Sequence, residues 1–452
     1  MTRLDLASRP RVEELGSEEI FSIQAQISET ETQIETLDRQ MNELKRVYNR
    51  EAQVSQLQKQ AKLHEIESLR NILSPIGRLA VEILAGIFED VCLSEDGFDN
   101  KAENDVMRSV FMISGVCTRW RNILRDTPEA WSKLHLSCYR HGRLIHGKSA
   151  EWVTEWLGRT KGYYPLDIEL EFSLSSRNQR IDTLVECIVD FRYQIRSLQL
   201  RGSDSGSYVP FFQLPSSSFP VLEKLTLLFG DTVSSPLMDF KSQAFLGASH
   251  LRDLEIVEYW PNVSVLGLVE IPMEQLTSLN IALCTTPRYG LHVFVDMLRR
   301  CKNLTRLSYD IPFPLNPNFA NLSIVMPVLK SLIIPCRNAR FVSLLACLTM
   351  PFLEDLTLRL QDVDYHDLYM DIVDLQNRST TALSSLTLSH IWGGETFTIK
   401  MIAILSILPE LTSFTIDGCY ADLNPLVRAI TYSQRSEACP STKADAVWIF
   451  AS

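Results

Sequence analysis

One spacing constrains this chain more than any other. The apolar pattern L-x-x-L-x-L opens at Ile195, Leu222, Leu251, Leu276, Leu304, Leu329, Leu353, Leu383 and Leu411, and successive copies lie 24–30 residues apart. The last two apolar positions of each copy, such as Leu225 and Leu227 or Leu356 and Leu358, flank one residue, polar in every copy but that of Ile333. That period of two belongs to a strand with one buried face. Helical runs such as Leu291 to Arg300 and Arg340 to Leu348 fill the gaps. A short stop precedes several strands, at Phe219-Pro220, Met326-Pro327, Met350-Pro351 and Leu408-Pro409. A single strand with its return segment cannot bury its apolar face, whereas stacked copies can. The spacing therefore predicts an α/β solenoid with a parallel sheet over residues 136–438, followed by a tail over 439–452.

The period and pattern resemble leucine-rich repeats, of an irregular kind. The position that closes each strand holds Cys284 and Cys419 but also Gly230, Tyr259, Pro312 and Arg337. The resemblance implies leucines turned inward and a concave face built from the residues between them. The middle column is then Thr226, Glu255, Asn280, Ser308, Ile333, Thr357, Thr387 and Thr415. The neighbouring column is Lys224, Asp253, Ser278, Arg306, Ser331, Asp355, Ser385 and Ser413. Short polar side chains leave such a face open to a partner, although threonine also suits an exposed strand for its own sake. Arg306 and Arg359, with Asn280, Ser308 and Thr357, are the candidate substrate-binding residues. Guanidinium pairs strongly with carboxylate or phosphate, so an acidic or phosphorylated substrate is expected beside the two arginines.

Residues 74–135 form a different unit. Ile83, Leu84, Ile87, Phe88 and Val91 have helical spacing, and so do Val106, Val110, Phe111, Val116, Trp120 and Ile123. Three blocks stand in order: Leu79-x-x-Glu82-Ile83-Leu84-x-x-Ile87-Phe88, then Val116-Cys117-x-x-Trp120-Arg121, then Trp131. They resemble an F-box, in particular the F-box-like domains of fungal proteins. The prolines that usually follow the first leucine are replaced here by Ala80 and Val81. The resemblance implies a small all-α module that binds the adaptor subunit of an SCF-type cullin–RING ubiquitin ligase. Leu79, Ile83, Leu84, Ile87, Phe88, Val116 and Trp120 would be the anchors. The repeats would then hold an unknown protein substrate, with the transfer chemistry on another subunit. A repeat scaffold without a ligase role is the other reading.

Ahead of this module, residues 1–16 are expected to be disordered and 17–73 to form one long helix. Its apolar residues fall at Ile20, Ile23, Ile27, Ile34, Leu37, Met41, Leu44 and Tyr48, in steps of three, four and seven. That is a heptad seam, and it continues through Val54, Leu57 and Ala61 after a slip in phase. Two readings stand: a coiled-coil homodimer through residues 17–60, or a solvated helix. Thr30, Glu51 and Ser55 interrupt the seam.

Composition narrows the function classes. The net charge is −11 and no basic stripe is visible, which argues against a nucleic-acid partner. No apolar run is long enough to span a membrane, and the first residues lack a signal-peptide core, so a cytoplasmic or nuclear protein is expected. The ten cysteines are scattered without C-x-x-C spacing, which gives a zinc site no support. No P-loop, G-x-G-x-x-G or G-x-S-x-G occurs. Asp204 stands where a nucleophile-elbow serine would, and the stretch Gly202–Gly206 is read as a loop. The cluster Asp362, Asp364, His366 and Asp367 is read as solvated loop, and Trp392 as a loop plug. No catalytic residue, metal or cofactor is expected.

Overall fold

A computed structural model describes residues 16–73, 75–93, 105–139, 143–144, 149–172, 179–204, 206–232, 241–259, 265–283, 291–310, 323–336, 345, 347–360, 365–389, 397–418, 424–428 and 447–451. The chain divides into two compact units, Met1–Ile83 and Leu84–Ser452.

The first unit is dominated by helix α1, Ser17–Leu73. At 1.5 Å per residue it is about 85 Å long. No glycine or proline interrupts it. Glu18 and Glu19 stand in its first turn and Arg70 in its last, the charges that the helix dipole favours. Thr30 Oγ1 donates to the Gln26 carbonyl at 2.7 Å, and Thr36 Oγ1 to the Thr32 carbonyl at 2.8 Å. These back-bonds let threonine sit in a helix interior. The seam is solvent-facing: Ile27 is 50% exposed and Leu44 70%. A 3-10 turn, Pro75–Arg78, follows. Residues 1–15, expected to be disordered, lie outside the described residues.

In the second unit three short helices come first. Helix α2, Val81–Leu93, begins at the boundary and runs on into this unit; α3 is Asp105–Val116 and α4 is Thr118–Asp126. Cys117 caps α4, its Sγ accepting from the Trp120 N–H at 3.4 Å. Arg121 Nε donates to the Ser114 carbonyl at 3.0 Å and fixes the joint between α3 and α4. The expected domain boundary after residue 135 does not separate this region from the sheet. Helix α3 packs on the first strand, and Trp131, Trp152 and Trp156 seal the join. The Trp131 and Trp156 rings meet edge-on at 4.8 Å, and Trp156 Nε1 donates to the Lys133 carbonyl at 3.3 Å.

The rest is a mixed helix and strand fold built on a large parallel sheet. Its strands are β1 (Lys133–Tyr139), β2 (Arg143–Leu144), β3 (Leu166–Phe172), β4 (Ile195–Asp204), β5 (Lys224–Thr232), β6 (Asp253–Glu258), β7 (Ser278–Leu283) and β8 (Arg306–Asp310). Then come β9 (Ile324–Val325), β10 (Ser331–Cys336), β11 (Leu348–Thr349), β12 (Asp355–Leu360), β13 (Ser385–Ser389), β14 (Ser413–Asp417) and β15 (Val447–Ala451). Thirteen of them form one sheet in the order β15-β14-β13-β12-β10-β8-β7-β6-β5-β4-β3-β1-β2, while β9 and β11 pair separately. Every pairing in the large sheet is parallel except β1 with β2. The sheet thus begins at Lys133, ahead of the expected start at 136. It also includes Val447–Ala451, which the sequence reading assigned to a tail.

The last two apolar positions of all nine copies fall on strands β4 to β8, β10 and β12 to β14. The apolar positions of the copies are buried, except Leu411, which is half-buried. Leu198, Leu225, Leu254, Leu279, Leu307, Leu332, Leu356, Leu386 and Phe414 stand opposite one another across successive strands. Each full burial of such a side chain contributes about 1.5–3 kcal/mol.

A second ladder forms at the entrance to the strands. The Glu223 carbonyl accepts the N–H groups of Arg252 and Asp253, at 2.8 and 3.0 Å. The Arg252 carbonyl does the same for Thr277 and Ser278, Thr277 for Thr305 and Arg306, and the pattern runs on to Thr412 and Ser413. One carbonyl thereby ties each copy to the next, and the hydroxyls of Thr277, Thr305, Ser384 and Thr412 donate to the same carbonyls as their own N–H groups. At the entrance to β4 a side-chain clamp assists: Arg196 grips Asp167 with Nε at 3.1 Å and Nη2 at 2.7 Å.

Candidate binding face

The residues between the buried leucines form two continuous columns on the opposite face of the sheet. Register places Gln199, Thr226, Glu255, Asn280, Ser308 and Ile333 in line, and Thr357, Thr387 and Thr415 continue the row. The column reaches further back than the repeat spacing shows, to Glu169 on β3 and His135 on β1. Nothing in that spacing marks β1, because KLHLSCY follows the helices with no return segment before it. The one available signal was the alternation of Leu134 and Leu136.

The column is cross-linked by its own side chains. Asn280 Nδ2 donates to Glu255 Oε1 at 2.9 Å, and Thr226 Oγ1 to Glu255 Oε2 at 3.4 Å. At the β1 end, His135 Nδ1 lies 3.0 Å from Glu169 Oε2 and Arg201 Nε 3.3 Å from Glu169 Oε1. The His135 hydrogen bond, aided by the charges of His135, Arg201 and Lys224, holds the Glu169 carboxyl below the usual carboxylate range against the opposing effect of burial. The Arg201 contact is coulombic, since its Nε–H is not aimed at the carboxylate. Arg201 Nη2 donates instead to Gln199 Oε1 at 3.1 Å.

In the middle of the face, β5 to β8 enclose a shallow depression of about 200 Å³, lined by Lys224, Asp253, Glu255, Ser278, Asn280 and Arg306 together with Leu254. Two of the five expected substrate-binding residues, Asn280 and Arg306, meet there. Ser308 is beside Asn280 in register. Thr357 and Arg359 are on β12, two strands beyond β8, which is about 10 Å at the usual strand spacing. The five residues therefore do not converge on one point. Arg306 is also shared: its Nη2 lies 3.5 Å from Asp253 Oδ1, too far and too poorly aligned for a hydrogen bond. Arg359 is exposed, with no ion-pair partner among the described residues.

The expected adaptor anchors divide by face. Leu84 and Phe88 are 0% and 2% exposed, with Cys92 continuing the same stripe of α2. They are core residues of this chain, so a partner cannot bury them; this corrects the expectation that they are anchors. Trp120 is half-buried, its ring 4.9 Å from that of Phe88. Leu79 is half-buried. Ile83, Ile87 and Val116 are exposed, and so are Val91 and Met112. Phe111 is exposed too, with its ring 5.9 Å from Trp156.

Of the other residues singled out in the sequence, Asp204 ends β4, so Gly202–Asp204 are strand where a loop was expected. Asp362, Asp364 and Trp392 lie outside the described residues. His366 and Asp367 open the helix Tyr365–Ser379, but their side chains are not among those described. Among the described residues no cluster of His, Cys, Asp or Glu could hold a metal ion, and no helix is long and apolar enough to cross a membrane. No family model matches the chain, and no curated protein matches it.

Proposed function

We propose that this chain is the substrate-recognition subunit of an SCF-type cullin–RING ubiquitin ligase. Helices α2 to α4 would be its F-box and the sheet a solenoid of irregular leucine-rich repeats. The observation that carries the reading is the exposure of Ile83, Ile87 and Val116, apolar side chains at motif positions turned to solvent. Exposed apolar residues on such helices are what an adaptor-binding module needs. The polar columns supply a surface on which a substrate protein would lie. The chain would perform no chemistry itself. Holding adaptor and substrate together raises the effective concentration of the reacting groups.

Affinity purification of the tagged chain tests this. Recovery of an SCF adaptor, lost in an Ile87→Asp/Val116→Asp variant that remains folded, supports the proposal. Unchanged recovery from that variant overturns it. The burial of Leu84 and Phe88 favours a second reading, a repeat scaffold with no ligase role, because it leaves fewer anchors to offset the cost of association. Absence of the adaptor from the purified complex would select that reading.

A further inference from the structure

Helix α1 has an uneven distribution of charge that the ligase reading does not use. Residues 17–38 carry Glu18, Glu19, Glu29, Glu31, Glu35 and Asp38 and no lysine or arginine. Residues 39–62 carry Arg39, Lys45, Arg46, Arg50, Lys59 and Lys62 against Glu43 and Glu51 alone. One half of the helix is acidic and the next is basic. Along both runs an exposed apolar seam, from Ile34 at 58% and Leu37 at 63% to Tyr48 at 72%, faces solvent.

We infer that α1 docks against α1 of a second copy of this chain in antiparallel orientation. A parallel pair would set the acidic half on its acidic twin and the basic half on its own. An antiparallel pair sets the acidic residues 20–32 against the basic residues 39–51 at both ends of the contact, and only the short middle, 33–38, faces its own twin. The seam agrees with that choice. Placing Ile34 opposite Leu37 of the second copy also places Ile27 opposite Leu44, Ile23 opposite Tyr48 and Thr30 opposite Met41. Every layer then contains a large apolar side chain, and the flexible methionine covers the threonine. Glu51 falls in the outermost layer, opposite Ile20, where its carboxylate reaches water. In a parallel pair Thr30 would face Thr30 and Glu51 would face Glu51 inside the seam. Residues 20–51 span more than four heptads, beyond the roughly three to four that specify a coiled coil.

The test uses the full chain and does not depend on the ligase reading. Light scattering after gel filtration should give twice the chain mass. A photoreactive benzoylphenylalanine in place of Ile27 should cross-link to residues around Leu44. Those positions are about 25 Å apart along one helix, so such an adduct can form only between copies. Adducts around Ile27 of the second copy would show a parallel pair and overturn the inference, as would a mass of one chain. The triple change Lys45→Glu, Arg46→Glu and Arg50→Glu should weaken dimerisation at least tenfold. Adding Glu19→Lys, Glu29→Lys and Glu31→Lys, the acids nearest those three positions in this register, should restore it. Failure of that rescue also overturns the antiparallel arrangement.

Discussion

Arg306 reaches over Ser278 to set its guanidinium 3.5 Å from the carboxylate of Asp253, two strands away in the same column. The small side chain at 278 is what allows this crossing. The column thus neutralises part of its own charge, and the two arginines that look equivalent in the sequence are not equivalent on the sheet.

A difference in ligand capture follows. If the face takes an acidic or phosphorylated segment, Arg359→Glu should cost more capture than Arg306→Glu, because Arg359 has no ion-pair partner among the described residues. A lost charge-assisted contact is worth about 1.5–3 kcal/mol, roughly 10- to 100-fold in affinity. Asp253→Asn should release Arg306 and strengthen capture. Titration of the captured substrate against the three variants checks the order. Equal losses from the two arginines would refute the distinction.

The two stripes of α2 should separate stability from binding. Leu84→Ala removes a fully buried side chain and should cost about 2–5 kcal/mol in chemical denaturation. Ile87→Asp changes an exposed position and should stay within about 1 kcal/mol. If the ligase reading holds, that variant still loses the adaptor on co-purification.

Glu169 should make the β1 end of the sheet acid-sensitive. Its carboxyl is held low in the folded chain by His135 first, then by neighbouring cations. The unfolded chain therefore takes up the proton first as pH falls. The stabilisation is present above the ordinary carboxylate pKa and lost as pH drops through the lower folded value. Glu169→Gln should flatten that part of the stability–pH curve and cost roughly 1–3 kcal/mol at neutral pH. Denaturant titrations between pH 7 and the acid limb measure both.

Three thiols should be inert in the native chain. Burial pushes Cys92 up to about 11 and Cys301 up to about 12, and raises Cys347. At mildly alkaline pH almost no thiolate is present to react. Iodoacetamide should leave all three unlabelled until denaturant is added, as mass spectrometry of the peptides would show. The linkage runs opposite to that of Glu169: above the ordinary thiol pKa the unfolded chain loses these protons first, so stability falls as pH rises.

Gly247 is fixed by contact. Its N–H donates to the Ser216 carbonyl at 3.1 Å, and a Cβ at 247 would overlap that same oxygen. Gly247→Ala should therefore destabilise by roughly 1–3 kcal/mol. Gly158 ends the helix Ala150–Gly158 with nothing near its missing Cβ. Gly158→Ala should be neutral or slightly stabilising, about 0.5–1 kcal/mol at most. Thermal unfolding of the pair gives the comparison.

The sheet was legible because its signal repeats. A leucine misplaced by one residue would turn a whole strand inside out, so register is strongly specified. The same rule put Asn280, Ser308 and Thr357 in one row from the sequence alone. The division of α2 was not legible, since Leu84 and Phe88 are no more apolar than Ile83 and Ile87. Only the tertiary neighbours decide which stripe is inside. Strand β1 was missed for want of a preceding return segment. The pairing of Arg306 with Asp253 spans 53 residues, and nothing local announces it. The two residues do share a column, so counting two repeats back would have found it.

The two ends of the sheet are finished differently. At one end β2 is two residues long and runs antiparallel to β1. That short stub turns the chain away, and another strand gains little by adding there. At the other end β15 is parallel to β14 over five residues, reads VWIFA and has no further strand beside it among the described residues. A strand edge left unpaired is a template for a foreign strand. Growth of unwanted aggregates should therefore be directional, seeded at Val447–Ala451 and not at the stub, and a lysine or proline placed in that strand would act as a gatekeeper.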